Sequence, residues 1–244
     1  MIASFVFAVA LVGSFPQNTP TKPAPNPQPA DAVSFRVPEF ANATCPIMGK
    51  PASASLFTDT EFGRIYVCCK PCIKKVRKEA EKSWKTAYPV VKPATNTACP
   101  ITGKDVDAKV PVVAVQGVSI ALCCTDCVPK VTTSSQIALA KAEDPKLVDL
   151  ENRACPITGE EADANTIAVI DGTIVRFATS KARDAAKEDA KAALEKARTL
   201  RQQEIDGTLK LVPHPDTDAR AADEAKDEKD DGRDAEDGTS RKNS

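Results

Sequence analysis

Hydrophobic residues in this chain come in short β-branched bursts, set in pairs, with a longer Ala/Lys/Glu-rich stretch after each pair. Val110–Val115 and Val118–Leu122 flank Gln116-Gly117, and Ile167–Ile170 and Thr173–Ala178 flank Asp171-Gly172. Two-residue loops of this kind, where both central residues adopt positive φ, predict β-hairpins. A looser pair, Ala54–Thr58 and Arg64–Val67, is joined through Gly63. A helix is expected after each hairpin: from Pro71 to about Lys85, from Pro129 toward Ala142, and over Ser180–Ile205. Proline suits a first helical turn, Ser180 is the expected N-cap of the last helix, and Gly207 its stop.

The same period governs the cysteines. Cys-Pro-Ile-x-Gly is written three times, opening at Cys45, Cys99 and Cys155, so the unit recurs every 54 to 56 residues. Two copies close on a cysteine cluster, Cys68-Cys69-Lys70-Pro71-Cys72 and Cys123-Cys124-Thr125-Asp126-Cys127. The third carries Ala178, Thr179 and Ala182 at those places. The fold class expected is therefore α+β, a tandem of small knuckle–hairpin–helix modules between disordered termini. The modules span 33–92, 93–146 and, degenerate with a long helix, 147–207. Units of about fifty residues are near the size where a core alone is marginal, and staples are usual.

The ends differ from this middle. Met1–Phe15 is apolar and uncharged, too short to span a membrane but long enough for the core of a secretory signal. Residues 1–15 are read as a signal peptide and 16–32 as a Pro-rich, semi-rigid linker. No other segment is apolar enough for a membrane span. Residues 208–244 are read as a disordered charged tail: from Asp216 on, eleven Asp/Glu face six Lys/Arg, with little apolar surface. A net charge of -1 gives no support for nucleic-acid binding. The expected location is outside the cytoplasm, periplasmic or extracellular.

Thiolates at a tight Cys-x-x-x-Gly turn, joined by thiolates where a strand gives way to a helix, form a natural cation site. The candidate ligands are Cys45, Cys68, Cys69 and Cys72 in copy one, and Cys99, Cys123, Cys124 and Cys127 in copy two. Pairing Cys69 with Cys72 (i, i+3) or Cys68 with Cys72 (i, i+4) works equally well on a helix, so three or four ligands per ion remain open. Zn(II) and Cu(I) both suit such sulfur donors. Met48 stands where a knuckle has its second cysteine and is read as a core filler, with a thioether ligand as the alternative. The one histidine, His214, sits between prolines away from the motifs.

The frames Cys45…Cys68-x3-Cys72 and Cys99…Cys123-x3-Cys127, with the segment Gly63-Arg-Ile-Tyr-Val-Cys-Cys-Lys-Pro-Cys-Ile-Lys-Lys-Val, resemble the TRASH and YHS-type treble-clef domains. That resemblance covers Thr44–Trp84 and Ala98–Lys141, with Ala154–Lys196 as a decayed copy. The Tyr-His-Ser tripeptide itself is absent. It implies heavy-metal trafficking, sensing or resistance, with Cys45, Cys68, Cys72 and Cys99, Cys123, Cys127 as ligands and Cys69 and Cys124 outside the triads. The expected function is non-enzymatic metal binding, for structure, scavenging or delivery, with the metal ion as partner and module three a surface for a protein partner. The alternatives are a disulfide-stapled interaction protein, since export permits disulfides, and a Cys-x-x-Cys thiol–disulfide redox protein.

Overall fold

The computed structural model describes residues 33–213 apart from Glu39, Ala108 and Lys109. Residues 1–15, read as a signal peptide, residues 16–32, read as a linker, and His214 with the rest of the charged tail beyond Pro213 lie outside the described residues. The fold is mixed α+β. Copy one consists of β2 (Phe57–Thr60), β3 (Gly63–Tyr66), α1 (Lys70–Lys78) and α2 (Ala80–Ala87), preceded by the short β1 (Phe35–Arg36). Copy two follows with β4 (Val112–Val115), β5 (Val118–Ala121), a 3-10 turn (Thr125–Cys127), α3 (Val128–Thr133) and α4 (Ser135–Glu143). Copy three has β6 (Val148–Asp149), β7 (Asp163–Ile170), β8 (Thr173–Phe177), α5 (Ser180–Ala185) and α6 (Ala190–Ile205).

The two Gly-containing loops form as read. Gln116 and Gly117 have φ of 48° and 73°, Asp171 and Gly172 of 48° and 70°, the conformation that fits the twist of a two-residue hairpin. In copy one the strands are displaced from their expected positions: Thr60 pairs with Gly63, so the loop is Glu61-Phe62. Gly63 still has a reason to lack a side chain. Its φ is 89°, and a Cβ there would lie 3.1 Å from Gln116 Cγ and 3.3 Å from Ser135 Cβ in copy two.

Each expected helix is broken. Glu79, Ser134 and Asp189 leave helical geometry, with φ of -129°, -124° and -140° and ψ of 52°, 51° and 77°. Each stands seven residues after Cys72, Cys127 or its counterpart Ala182. None is proline or glycine, so local propensity gives way to packing. The break in copy two turns α4 into the middle of the molecule, where Ser135 through Ala140 are all buried, as expected of a helix covered on every side. In copy three the N-cap of α5 is Thr179 rather than Ser180, and Asp189 caps α6. Gly207, at φ 68°, ends α6 as read. The chain then returns: the Val212 carbonyl accepts from the Glu161 N–H at 2.8 Å.

Copies one and two keep two-stranded hairpins, whereas copy three builds a four-stranded sheet in the order β1-β7-β8-β6. β7 is buried on both faces. Ala168 and Ile170 pack with Val175, Phe177 and the alanines of α5 and α6. Ile167 and Val169 pack with Ile174 and with Ile137 and Ala140 of α4. By apolar character alone, Ile157, Ile167, Val169, Ile174, Val175 and Phe177 would form one core for copy three; it is divided instead between the helices of copy three and α4 of copy two. Ile157 leaves it altogether, 44% exposed on the knuckle.

Polar side chains complete the joints. Gln116 Nε2 donates to the Phe40 carbonyl, and its Oε1 accepts from Ser135 Oγ and Gln136 Nε2 at 2.8 and 2.6 Å. Asn165 of copy three accepts from the Gln136 N–H and donates to the Thr133 carbonyl. Arg64 is 2% exposed. Its guanidinium donates to both Asp59 oxygens of its own copy and to Asp163, Thr166 Oγ1 and the Asn165 carbonyl of copy three. It also lies 3.5 Å over the Phe57 ring.

Candidate metal centres

The first ligand of each triad is fixed by a backbone turn. In copy one the Cys45 N–H donates to the Lys50 carbonyl at 2.8 Å, and the Gly49 N–H to the Cys45 carbonyl at 2.9 Å. Copy two repeats this with Cys99, Lys104 and Gly103, and copy three with Cys155, Glu160 and Gly159. The glycines sit at φ of 64°, 72° and 76°, a region costly for other residues.

A second device ties each turn to its hairpin. Asn42 donates from Nδ2 to the carbonyls of Thr44 and Tyr66 and accepts from the Tyr66 N–H. Asn96 does the same with Ala98 and Ala121. Asn152 does so with Ala154 and Arg176. These asparagines were not singled out in the sequence, although each stands three residues before its Cys-Pro-Ile and the true repeat is Asn-x-x-Cys-Pro-Ile-x-Gly. Since Tyr66 and Ala121 lie two residues before Cys68 and Cys123, the asparagines hold the two halves of each site together.

On that frame the sulfurs converge. The Sγ atoms of Cys45, Cys68 and Cys72 all lie within 4.8 Å of one another, as do those of Cys99, Cys123 and Cys127. In each triad the pair at the strand-to-helix junction is the i, i+4 one, Cys68 with Cys72 and Cys123 with Cys127, and the first member of each stands before the helix begins. Cys69 and Cys124 stand at N-cap positions with extended backbone. Cys69 Sγ is 3.2 Å from Cys72 Sγ and 3.9 Å from Cys68 Sγ. Cys124 Sγ is 3.3 Å from Cys127 Sγ and 3.9 Å from Cys123 Sγ. All nine cysteines are free thiols. Cys155 is fully buried against Ala178 and Ala182, which fill the places of the missing ligands with methyl groups.

The donor set fits a soft cation. Thiolate–zinc bonds of about 2.3 Å put tetrahedral ligand sulfurs about 3.8 Å apart, and Cys123 and Cys127 are 3.8 Å apart. Closing each triad on an ion therefore takes side-chain adjustments of about an ångström or less. Met48 is 52% exposed and so is no core filler. Its counterpart Thr102 hydrogen-bonds Cys123 Sγ at 3.2 Å.

The thiols also divide by acidity. Burial opposes ionisation of Cys45, yet the N–H groups of Cys68, Ile47 and Met48 outweigh it and bring that thiol down to about 7. Cys99, buried likewise, is brought to about 6 by the N–H groups of Cys123, Ile101 and Thr102 and the Thr102 hydroxyl. Burial, reinforced by neighbouring thiols, pushes Cys72 and Cys127 up. One knuckle thiol per site, Cys45 or Cys99, is thus far more acidic than its buried partner Cys72 or Cys127, whose ionisation a cation would favour by offsetting the cost of burial.

A cleft of about 1270 Å³ opens between α1 and β7, and no cysteine lines it. Among the described residues no helix is long and apolar enough to cross a membrane. No protein-family model, no curated protein and no solved structure matches this chain.

Proposed function

We propose that the chain is an exported, non-enzymatic metal-binding protein that holds one Zn(II) or Cu(I) ion in each of its two cysteine triads. The observation that carries this reading is the double convergence of Cys45, Cys68, Cys72 and of Cys99, Cys123, Cys127 onto points within reach of one ion. Two separate stretches of chain, with different intervening residues, arrive at the same sulfur geometry. A bound cation supplies charge compensation for three thiolates and cross-links knuckle to helix. Kinship with the TRASH and YHS-type domains belongs to this proposal, supported by the shared cysteine frame. Export is supported by the apolar run at residues 2–15. The role is structural, scavenging or delivery, and the third copy is a scaffold with a surface for a protein partner.

The experiment is elemental analysis of the reduced chain after anaerobic loading with Zn(II) or Cu(I). Wild type should hold two ions, Cys72→Ser and Cys127→Ser one each, and the double variant none. A wild-type chain that returns metal-free from both loadings overturns the reading.

A further inference from the structure

Cys69 and Cys124 are unaccounted for by the triads. A capping role does not explain them. Both occupy N-cap positions without accepting a side-chain capping bond. Copy three, which has no triad, places Thr179 there, and its hydroxyl accepts from the Ala182 N–H at 3.1 Å. A hydroxyl is thus the better cap in this fold, and a thiol occupies the position only where a triad stands beside it.

What the two thiols do have is an intimate sulfur neighbour. At 3.2 Å from Cys72 and 3.3 Å from Cys127 they are closer than ligands of one tetrahedral ion would be. Forming a bond of about 2.05 Å needs an approach of only about an ångström. The Cys72 N–H donates to the Cys69 carbonyl at 3.1 Å, and the Cys127 N–H to the Cys124 carbonyl at 3.3 Å, so both turns already fold the paired residues together. Exposure is asymmetric: Cys69 and Cys124 are half-buried and reachable, whereas Cys72 and Cys127 are each 2% exposed.

We infer that Cys69–Cys72 and Cys124–Cys127 are two sites of reversible disulfide formation, at which an external small-molecule disulfide withdraws one thiolate from each triad. The Cys69 thiolate attacks a sulfur of the external disulfide, whose S–S bond breaks; a mixed disulfide forms and one small thiolate leaves. The Cys72 thiolate then attacks Cys69 Sγ, closing the internal bond and expelling the second small thiolate. Two protein thiols are oxidised, the external disulfide is reduced to two thiols, and each of these takes up the proton one cysteine gave up. Only Cys45 and Cys68 remain as thiolates of the first triad, and Cys99 and Cys123 of the second. The pairing rests on geometry alone; the loss of a ligand rests on the metal reading above.

The test uses the full chain, reduced, loaded with Zn(II), then exposed to oxidised glutathione. Zinc release is followed with a chromophoric chelator and the bridges are mapped by peptide mass spectrometry. Expected are Cys69–Cys72 and Cys124–Cys127 bridges together with loss of zinc. The variant Cys69→Thr/Cys124→Thr, carrying the residue copy three uses at that place, should load the same zinc and keep it under oxidant. Bridges to Cys45, Cys68, Cys99 or Cys123 overturn the inference, as does a variant that releases zinc like wild type. A variant that cannot hold zinc when reduced overturns it too, by making these cysteines ligands. If wild type takes up no zinc, the metal reading fails, and the peptide map of the oxidised metal-free chain still decides the pairing.

Discussion

Asn42 and Tyr66 exchange two hydrogen bonds across 24 residues: Asn42 Nδ2 donates to the Tyr66 carbonyl at 2.9 Å, and the Tyr66 N–H donates back to Asn42 Oδ1 at 2.8 Å. This amide clasp fixes how far the knuckle of Cys45 stands from the strand that delivers Cys68. Removing it strands buried backbone groups, each of which costs about 1–3 kcal/mol. Asn42→Ala should therefore lower unfolding free energy by at least that amount in denaturant titrations. Zinc affinity should fall at the first triad, read in a Cys127→Ser background, and stay unchanged at the second, read in Cys72→Ser.

Arg64 joins copy one to copy three through Asp59 and Asp163 at 2.8 and 2.9 Å. A guanidinium so buried is tolerated because both carboxylates and the Phe57 ring compensate its lost hydration. Arg64→Ala leaves those carboxylates facing each other without a cation and should cost about 3–5 kcal/mol in chemical denaturation. A cost near zero would mean that the two copies do not depend on this joint.

Copy three offers a gain-of-function test. Its knuckle has the same two backbone hydrogen bonds as the others, and Cys155 is already in place. Ala178→Cys/Ala182→Cys should raise zinc content from two ions to three, at a packing cost of about 1–3 kcal/mol for the added sulfurs. Zinc content that stays at two would show that sulfur position alone is insufficient.

The pH dependence follows from the knuckle thiols. Cys99 ionises at about 6, against an ordinary 9.0. A thiol that holds its proton less tightly when folded adds stability in full above pH 9, and that contribution is gone once pH has fallen through about 6. Thiolate ultraviolet absorbance of the reduced, metal-free chain should show a midpoint near 6 that disappears in Cys99→Ala. Thr102→Val should move it upward. Because Cys45 reaches only about 7, the first triad should release zinc at a higher pH than the second.

Much of this was legible in the residues, for identifiable reasons. Gln116-Gly117 and Asp171-Gly172 encode their hairpins locally, since positive φ at both positions admits few other structures. The cysteine frame was legible because it recurs at fixed spacing. The helix breaks at Glu79, Ser134 and Asp189 were not, because they answer to packing and carry no breaker residue: α2 folds back on the core of copy one, α4 turns between copies two and three, and α6 lies on the sheet of copy three. β1 and β6, two residues each, are too short to show any periodicity. Ile157 looked like core because it is apolar, yet the knuckle turn holds it outward. The asparagine clasps were visible at constant offset, but a lone polar residue before a motif gives no sign of being buried until its partner strand is known.

The thiol-poor third knuckle shows what the clasped turn means for the other two. Its loop takes the same path with methyl groups for neighbours, so the path is written in amides and glycine rather than in sulfur. A bay built that way owes its contour to the backbone, with or without sulfur to line it. Under the proposed metal reading, an ion could then leave either triad while the turn that framed it keeps its course.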